Sequence, residues 1–367
     1  MSCRELVAVL ALFLLSACAP TEDIPAAVAA QAEDGVWTIA SRTLPPPVAA
    51  SDALRASIAN APQPSVTESV RQTPASLQEW EPLISTMNAG SAQISEALAE
   101  RWSVKIKEDE IAGVTVRTVT PTRIDPANVN RLFVHVHGGA YVLNAGLAGV
   151  AEAILIAHRA KIPVLSIDYR MPPEHPFPAA VDDVVAVWKS LLGDRPAKSM
   201  ALGGTSAGGG LTLASTLRLI EIGLETPGAL WAGTPWADIT KTGDSHFTME
   251  GIDRALVTYD GVLEGAAKLY AAGRDLRTPL ISPVYGDFEG FPPTYLVTGT
   301  RDLFLSDTVR VHRKMRVAGV VAELNIYEGL SHGEYASVVD SPESEQTFGE
   351  LGAFLLQHLD RSFGDNR

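Results

Sequence analysis

The 367-residue sequence predicts an α/β protein in which a mostly parallel central sheet is flanked by helices. Three observations carry that prediction. Short apolar runs at residues 132–136, 162–167, 200–203 and 293–299 have the length and composition of buried strands, and helical patterns separate them. A serine between glycines, Ser206, joins the third run to a helical pattern in which Leu213, Leu217, Ile220 and Leu224 recur. Acidic and histidine residues then follow later strands, at the strand ends where open α/β sheets gather their functional groups.

In chain order, residues 6–15 form an apolar run too short for the roughly 20 residues that span a bilayer. The run suits the hydrophobic region of a secretory signal. It ends in Leu15-Ser16-Ala17-Cys18, which resembles a bacterial lipoprotein box. That resemblance implies a signal peptide over residues 1–17 and lipidation of Cys18. It also implies a lipid-anchored location in the cell envelope, at an outer membrane, facing the periplasm or the surface. Ordinary cleavage after Ala19 is the alternative, but it leaves Pro20 in the first mature position. Residues 18–45, rich in Ala, Pro, Thr and Gln, read as a flexible tether spanning on the order of 30 Å. With Cys3 removed and Cys18 lipidated, the folded part carries no disulfide.

Residues 46–367 read as one folded unit. Residues 77–102 look helical, with Ile94, Leu98 and Trp102 on one face, and resemble part of a cap element over about 46–100. Alternation around residues 102–106 and 113–119 predicts a hairpin that opens the sheet. After the short strand near Leu230 and Trp231, a second insertion over about 237–280 supplies the rest of the cap. Its apolar residues are expected mainly to form the cap's own core.

The chemistry-bearing residues follow a consistent pattern. Gly204-Thr205-Ser206-Ala207-Gly208 has the strand, sharp turn and helix of a nucleophile elbow, although Gly and Ser alone are common in loops. A serine hydroxyl is a weak nucleophile until a base takes its proton, and that base needs a third group to orient it. Downstream, Asp302 follows the run at 293–299, and His332 follows the alternating run at 322–327. The chain order Ser206, Asp302, His332 matches that of elbow hydrolases. Upstream, the strand at 132–136 leads into His137-Gly138-Gly139-Ala140, where glycines free backbone N–H groups to face a developing oxyanion. Ala207, at the helix N-terminus, offers another.

These motifs, with Asp168-Tyr169-Arg170-Met171-Pro172-Pro173-Glu174, resemble the hormone-sensitive-lipase-like esterases of the α/β-hydrolase superfamily, in the G-T-S-A-G subgroup. The resemblance spans roughly residues 75–360. It implies a serine carboxylesterase that acts on short- to medium-chain esters through an acyl-enzyme. Ser206 would be nucleophile, His332 base and Asp302 its orienter, with Gly138, Gly139, Ala140 and Ala207 as oxyanion donors. His137 is expected to fix its loop, and Asp168, Arg170 and Glu174 to brace it. The departures are Ala140 for a third glycine, Thr205 for an acidic residue, and Glu334-Tyr335 after the histidine loop, where the side chains would shape the acyl or alcohol side. Lactone opening, polysaccharide deacetylation and ligand binding on a retired hydrolase scaffold are the rival readings.

A formal charge of −14 makes nucleic acid an unsuitable partner, so membrane association would come from the lipid on Cys18. There is no dinucleotide fingerprint, phosphate loop or metal-ligand spacing, so no cofactor and no metal are expected. The expected partner is a small-molecule ester. The oligomeric state is left open, a homodimer among the options.

Overall fold

A computed structural model describes residues 43–360 together with Ile39 and Ser41. The expected signal peptide, Cys18 and most of the tether lie outside the described residues. Eight strands form one sheet: β1 Lys105–Ile111, β2 Val114–Thr120, β3 Leu132–Val136, β4 Val164–Ile167, β5 Met200–Thr205, β6 Ala229–Gly233, β7 Thr294–Gly299 and β8 Ala322–Tyr327. Their order across the sheet is β1-β2-β4-β3-β5-β6-β7-β8. β2 pairs antiparallel with both β1 and β4, and every other pairing is parallel.

The residues account for this layout. The inner strands β3 to β7 are buried along their whole length, as strands covered by helices on both faces must be. β1, with the charged run Lys105 to Glu110, is largely exposed and protects the sheet edge with charge. The helices are α1 Asp52–Asn60, α2 Val66–Arg71, α3 Leu77–Trp102, α4 Ala151–Ala160, α5 Ala179–Leu191, α6 Ala207–Glu221, α7 Ser245–Thr248, α8 Val262–Ala271, α9 Leu305–Val317, α10 Glu334–Ser337 and α11 Pro342–His358. Two apolar cores lie on opposite faces of the sheet. One packs Val184, Trp188, Leu211 and Val311 from α5, α6 and α9. The other packs Ile154, Leu155, Phe348 and Leu355 from α4 and α11.

Helices α1 to α3 precede the sheet, and the segment carrying α7 and α8 connects β6 to β7. α3 matches the expected helix. On the face shared by Ile94, Leu98 and Trp102, Leu98 is buried, whereas Ile94 is 57% exposed and borders a cavity. α6 ends at Glu221, so Leu224 falls beyond the helix, where its N–H returns to the Leu219 carbonyl. Among the described residues no helix is long and apolar enough to cross a membrane.

Candidate active site

Ser206 sits between β5 and α6 with φ 63° and ψ −125°, a conformation that costs a non-glycine residue about 1–3 kcal/mol and persists only where surroundings enforce it. The enforcement is visible. Ser206 N–H donates to the Gly233 carbonyl (2.8 Å), and its own carbonyl accepts from Trp236 N–H (2.9 Å) and Gly210 N–H (3.0 Å). Gly204 and Gly208 are required by packing, since a Cβ on either would overlap the Val136 carbonyl oxygen at the end of β3. The turn thereby presses Ser206 against the loop that follows β3.

That loop is tightly wound. Gly139 has φ 112°, Ala140 φ 53° and Tyr141 φ 64°. Ala140 therefore occupies the left-handed region in which glycine is the easier residue. Tyr141 is buried and stacks on Tyr270 at 3.9 Å, which holds the loop in place. Gly138 lies directly beside Ser206: a Cβ there would come within 3.3 Å of the Ser206 Cβ. Gly138, Gly139, Ala140 and Ser206 line one cavity, and Ala207 opens α6 beside them.

Asp302 and His332 come from the turns after β7 and β8. Asp302 Oδ1 accepts from His332 Nδ1 (3.1 Å) and from Phe304 N–H (2.8 Å). Its Oδ2 accepts from the Thr298 hydroxyl (3.0 Å) and from the Thr234 hydroxyl. Burial alone would raise the Asp302 pKa, but the His332 charge and these donors outweigh it and hold the carboxyl below its usual value. The reciprocal effect acts on His332: burial lowers its pKa, while Asp302, and then Asp253, push it above the ordinary 6.5. His332 Nε2 makes no hydrogen bond to the described residues, and His332 lines the same cavity as Ser206.

The motif residues divide. His137 stacks on Tyr169 at 4.1 Å, and its Nδ1 is 2.8 Å from the Gly138 carbonyl. Burial depresses its pKa to about 4, so it is neutral at pH 7. The Tyr169 hydroxyl donates to the His137 carbonyl (2.8 Å). Asp168 accepts from Arg117 (2.7 Å) and from Gly146 N–H (2.9 Å), linking the segment after the glycine loop to β2. Arg170 instead pairs with Asp183 of α5 (2.7 Å). Glu174 is exposed and borders a surface cleft together with Asp168 and Arg170. Glu334 and Tyr335 also depart from expectation, for neither lines the cavity. Glu334 pairs with Arg254 and accepts from Ser331 N–H (2.7 Å), while the buried Tyr335 meets the Thr205 hydroxyl at 2.7 Å.

Several functional neighbours carry no sequence signal. Thr234 and Thr298 resemble ordinary strand-end threonines. Glu152 resembles a polar residue on an amphipathic helix, yet it lies beneath the elbow. It accepts from Thr205 N–H (3.1 Å), Trp231 Nε1 (3.0 Å) and the Thr205 hydroxyl, with His135 Nε2 at 3.1 Å. Burial pushes Glu152 up, but His135 and these donors prevail and keep it ionised. Asp253 lies in an insertion that reads as cap core.

The shared cavity has a volume of about 1060 Å³. Its walls carry apolar Leu83, Met87 and Ile94 from α3 and Leu256, Val257 and Val262 from the second insertion, beside polar Glu68, Ser69 and Gln72 near α2 and Arg254. Its floor is Ser206, His332 and the glycine loop. No group of three or more His, Cys, Asp or Glu among the described residues is placed to hold a metal.

A family model described as the alpha/beta hydrolase fold matches residues 133–336, which span the oxyanion loop, the elbow, Asp302 and His332. The chain belongs to the α/β-hydrolase family. Within it, similarity runs to the hormone-sensitive-lipase-like branch. An acetyl-hydrolase of Streptomyces hygroscopicus is 34% identical over 66% of this chain and 81% of its own length. An esterase of Acinetobacter venetianus is 28% identical over 71% of this chain and 85% of its own. Among solved structures, the esterase E25 is 52% identical, with a TM-score of 0.87, covering 89% of this hydrolase and 99% of that chain. An esterase of the bacterial hormone-sensitive lipase family is 28% identical, with a TM-score of 0.68, over 78% of this hydrolase and all of that chain.

Proposed function

We propose that this hydrolase cleaves short- to medium-chain carboxylic esters through an acyl-enzyme on Ser206. The observation that carries the reading is the convergence of an elbow serine at φ 63° and a histidine fixed by a buried carboxylate on one cavity floor. His332 Nε2 takes the Ser206 proton as the oxygen attacks the ester carbonyl. The Asp302 carboxylate holds the opposite ring nitrogen protonated and stabilises the imidazolium that forms. Backbone N–H groups from the Gly138–Ala140 turn and Ala207 receive the oxyanion, each worth about 3 kcal/mol in such sites. The imidazolium then protonates the departing alcohol. In the second half, His332 takes a proton from water, hydroxide adds to the acyl carbon, and collapse releases the acid and restores Ser206. The apolar side chains of the wall would hold the acyl chain.

The test is hydrolysis of p-nitrophenyl esters of two to sixteen carbons by the full chain and by Ser206→Ala. Activity at short and medium lengths that disappears in the variant supports the reading. A folded wild-type protein that is silent across the series, or activity that survives Ser206→Ala, overturns it.

We also propose, from residues 6–15 and Leu15-Ser16-Ala17-Cys18, that the enzyme is lipid-anchored at Cys18 in a bacterial envelope. Cys18→Ala should move it from the detergent phase to the aqueous phase on Triton X-114 partition. Unchanged partition would remove the anchor from the account.

A further inference from the structure

The second insertion reaches the catalytic turns through two adjacent residues that the triad chemistry does not use. Asp253 is fully buried between the turns that bear Asp302 and His332. Its Oδ2 accepts from Leu303 N–H at 2.8 Å, the residue next to Asp302. Its Oδ1 accepts from Ala255 N–H (2.8 Å) and Leu256 N–H (3.1 Å), with His332 N–H at the limiting distance of 3.5 Å. Arg254 grips the histidine turn from the other side. Its backbone N–H donates to the Ser331 hydroxyl (3.1 Å), and its guanidinium pairs with Glu334. That guanidinium also donates to the Ser57 carbonyl of α1 (3.0 Å).

We propose that Asp253 and Arg254 form a clamp that positions Asp302 and His332 and makes the cap insertion part of the triad's support. This builds on the serine-hydrolase reading. A carboxylate is suited to the place because it can accept from both turns at once, whereas a neutral amide has one accepting atom. Its charge also acts on the base. The charged and titratable groups facing Asp253 are Asp302, His332, Arg254 and Glu334. Burial and then the Asp302 charge push Asp253 up to about 6, while His332 pulls it down. In return, the Asp253 charge raises the His332 pKa.

The experiment compares wild type, Asp253→Asn and Ser206→Ala on p-nitrophenyl butyrate across pH 5–9. Asp253→Asn keeps the volume but turns an N–H toward one of the two catalytic turns. Displacements of about 1 Å at such sites cost up to about 100-fold in rate, so kcat should fall by about tenfold or more with KM within about twofold. The acid limb of kcat/KM should also move to lower pH, because the imidazolium loses a nearby negative charge. Wild-type kcat in Asp253→Asn overturns the proposal, and so does a lowered kcat with an unmoved acid limb. Should that variant not fold, Arg254→Met combined with Glu334→Gln removes the outer half of the clamp without stranding a buried charge. It should lower kcat by about threefold or more at constant KM. Unchanged kcat there overturns the clamp. The serine-hydrolase reading fails separately, through wild-type hydrolysis that is absent or does not depend on Ser206.

Discussion

Thr205, just before Ser206, makes a testable statement about charge beneath the elbow. Its hydroxyl lies between the Glu152 carboxylate and the Tyr335 hydroxyl, in a position that is 9% exposed. Glu152 is kept ionised by Thr205 N–H, Trp231 and His135. Thr205→Asp would exchange a donor for a second carboxylate. At a separation of about 4 Å and an effective dielectric of about 20, the two charges repel by about 4 kcal/mol. The pair avoids this by holding a proton, so the introduced carboxyl has a folded-state pKa about 3 units above its unfolded value near 4. The sign follows from linkage: the folded state then binds the extra proton, so the penalty is absent below about pH 4. It grows by about 1.4 kcal/mol per pH unit above that, up to the raised pKa near 7. Urea unfolding at pH 5 and pH 8 should therefore show Thr205→Asp losing roughly 3 kcal/mol more stability at the higher pH than wild type loses. Equal losses would mean that Glu152 does not carry charge in the folded protein, and the account of the elbow's support would be refuted.

Three further outcomes follow from the site. Because His332 titrates above 6.5, the kcat/KM profile should rise with pH through a midpoint above that value, and Asp302→Asn should lower activity by about 10⁴-fold. A midpoint below 6 in stopped-flow or initial-rate data would contradict the electrostatics. Thr234→Val removes a hydroxyl donor from the fully buried Asp302 and should cost about 1–3 kcal/mol in thermal or urea unfolding, with a matching loss of kcat. Gly208→Ala places a methyl group against the Val136 carbonyl oxygen and within 2.9 Å of the His137 backbone. Calorimetry should show about 1–3 kcal/mol of destabilisation from overpacking, together with lost activity as the oxyanion loop shifts. A Gly208→Ala enzyme with wild-type stability and rate would deny that close approach.

Strand positions were legible because inner parallel strands must be apolar on both faces, so runs such as 132–136 and 293–299 have few other readings. The elbow was legible because only glycine tolerates the approach of Val136 at positions 204 and 208. Side chains that act through tertiary placement were not. Glu152 and Asp253 come from a helix and an insertion remote in sequence from the groups they hold, and no local periodicity distinguishes them from surface acids. Tyr335 misled as well: a large side chain two residues beyond Gly333 turns inward to meet Thr205 and Trp231 instead of the substrate.

The way Ser206 is pinned has a consequence for heat inactivation. Its N–H is bonded to β6, and its carbonyl takes N–H groups from Trp236 and Gly210, all beside fully buried inner strands. A backbone held in this way should open only with the strands around it, so Ser206 should keep its place for as long as the domain survives. Amide exchange at Ser206 and Trp236 should be as slow as in the deepest part of the sheet, governed by global unfolding rather than by fraying. Residual activity and fraction folded should then decline together along a melting curve, and the enzyme's working limit would be set by the whole sheet rather than by its catalytic loops.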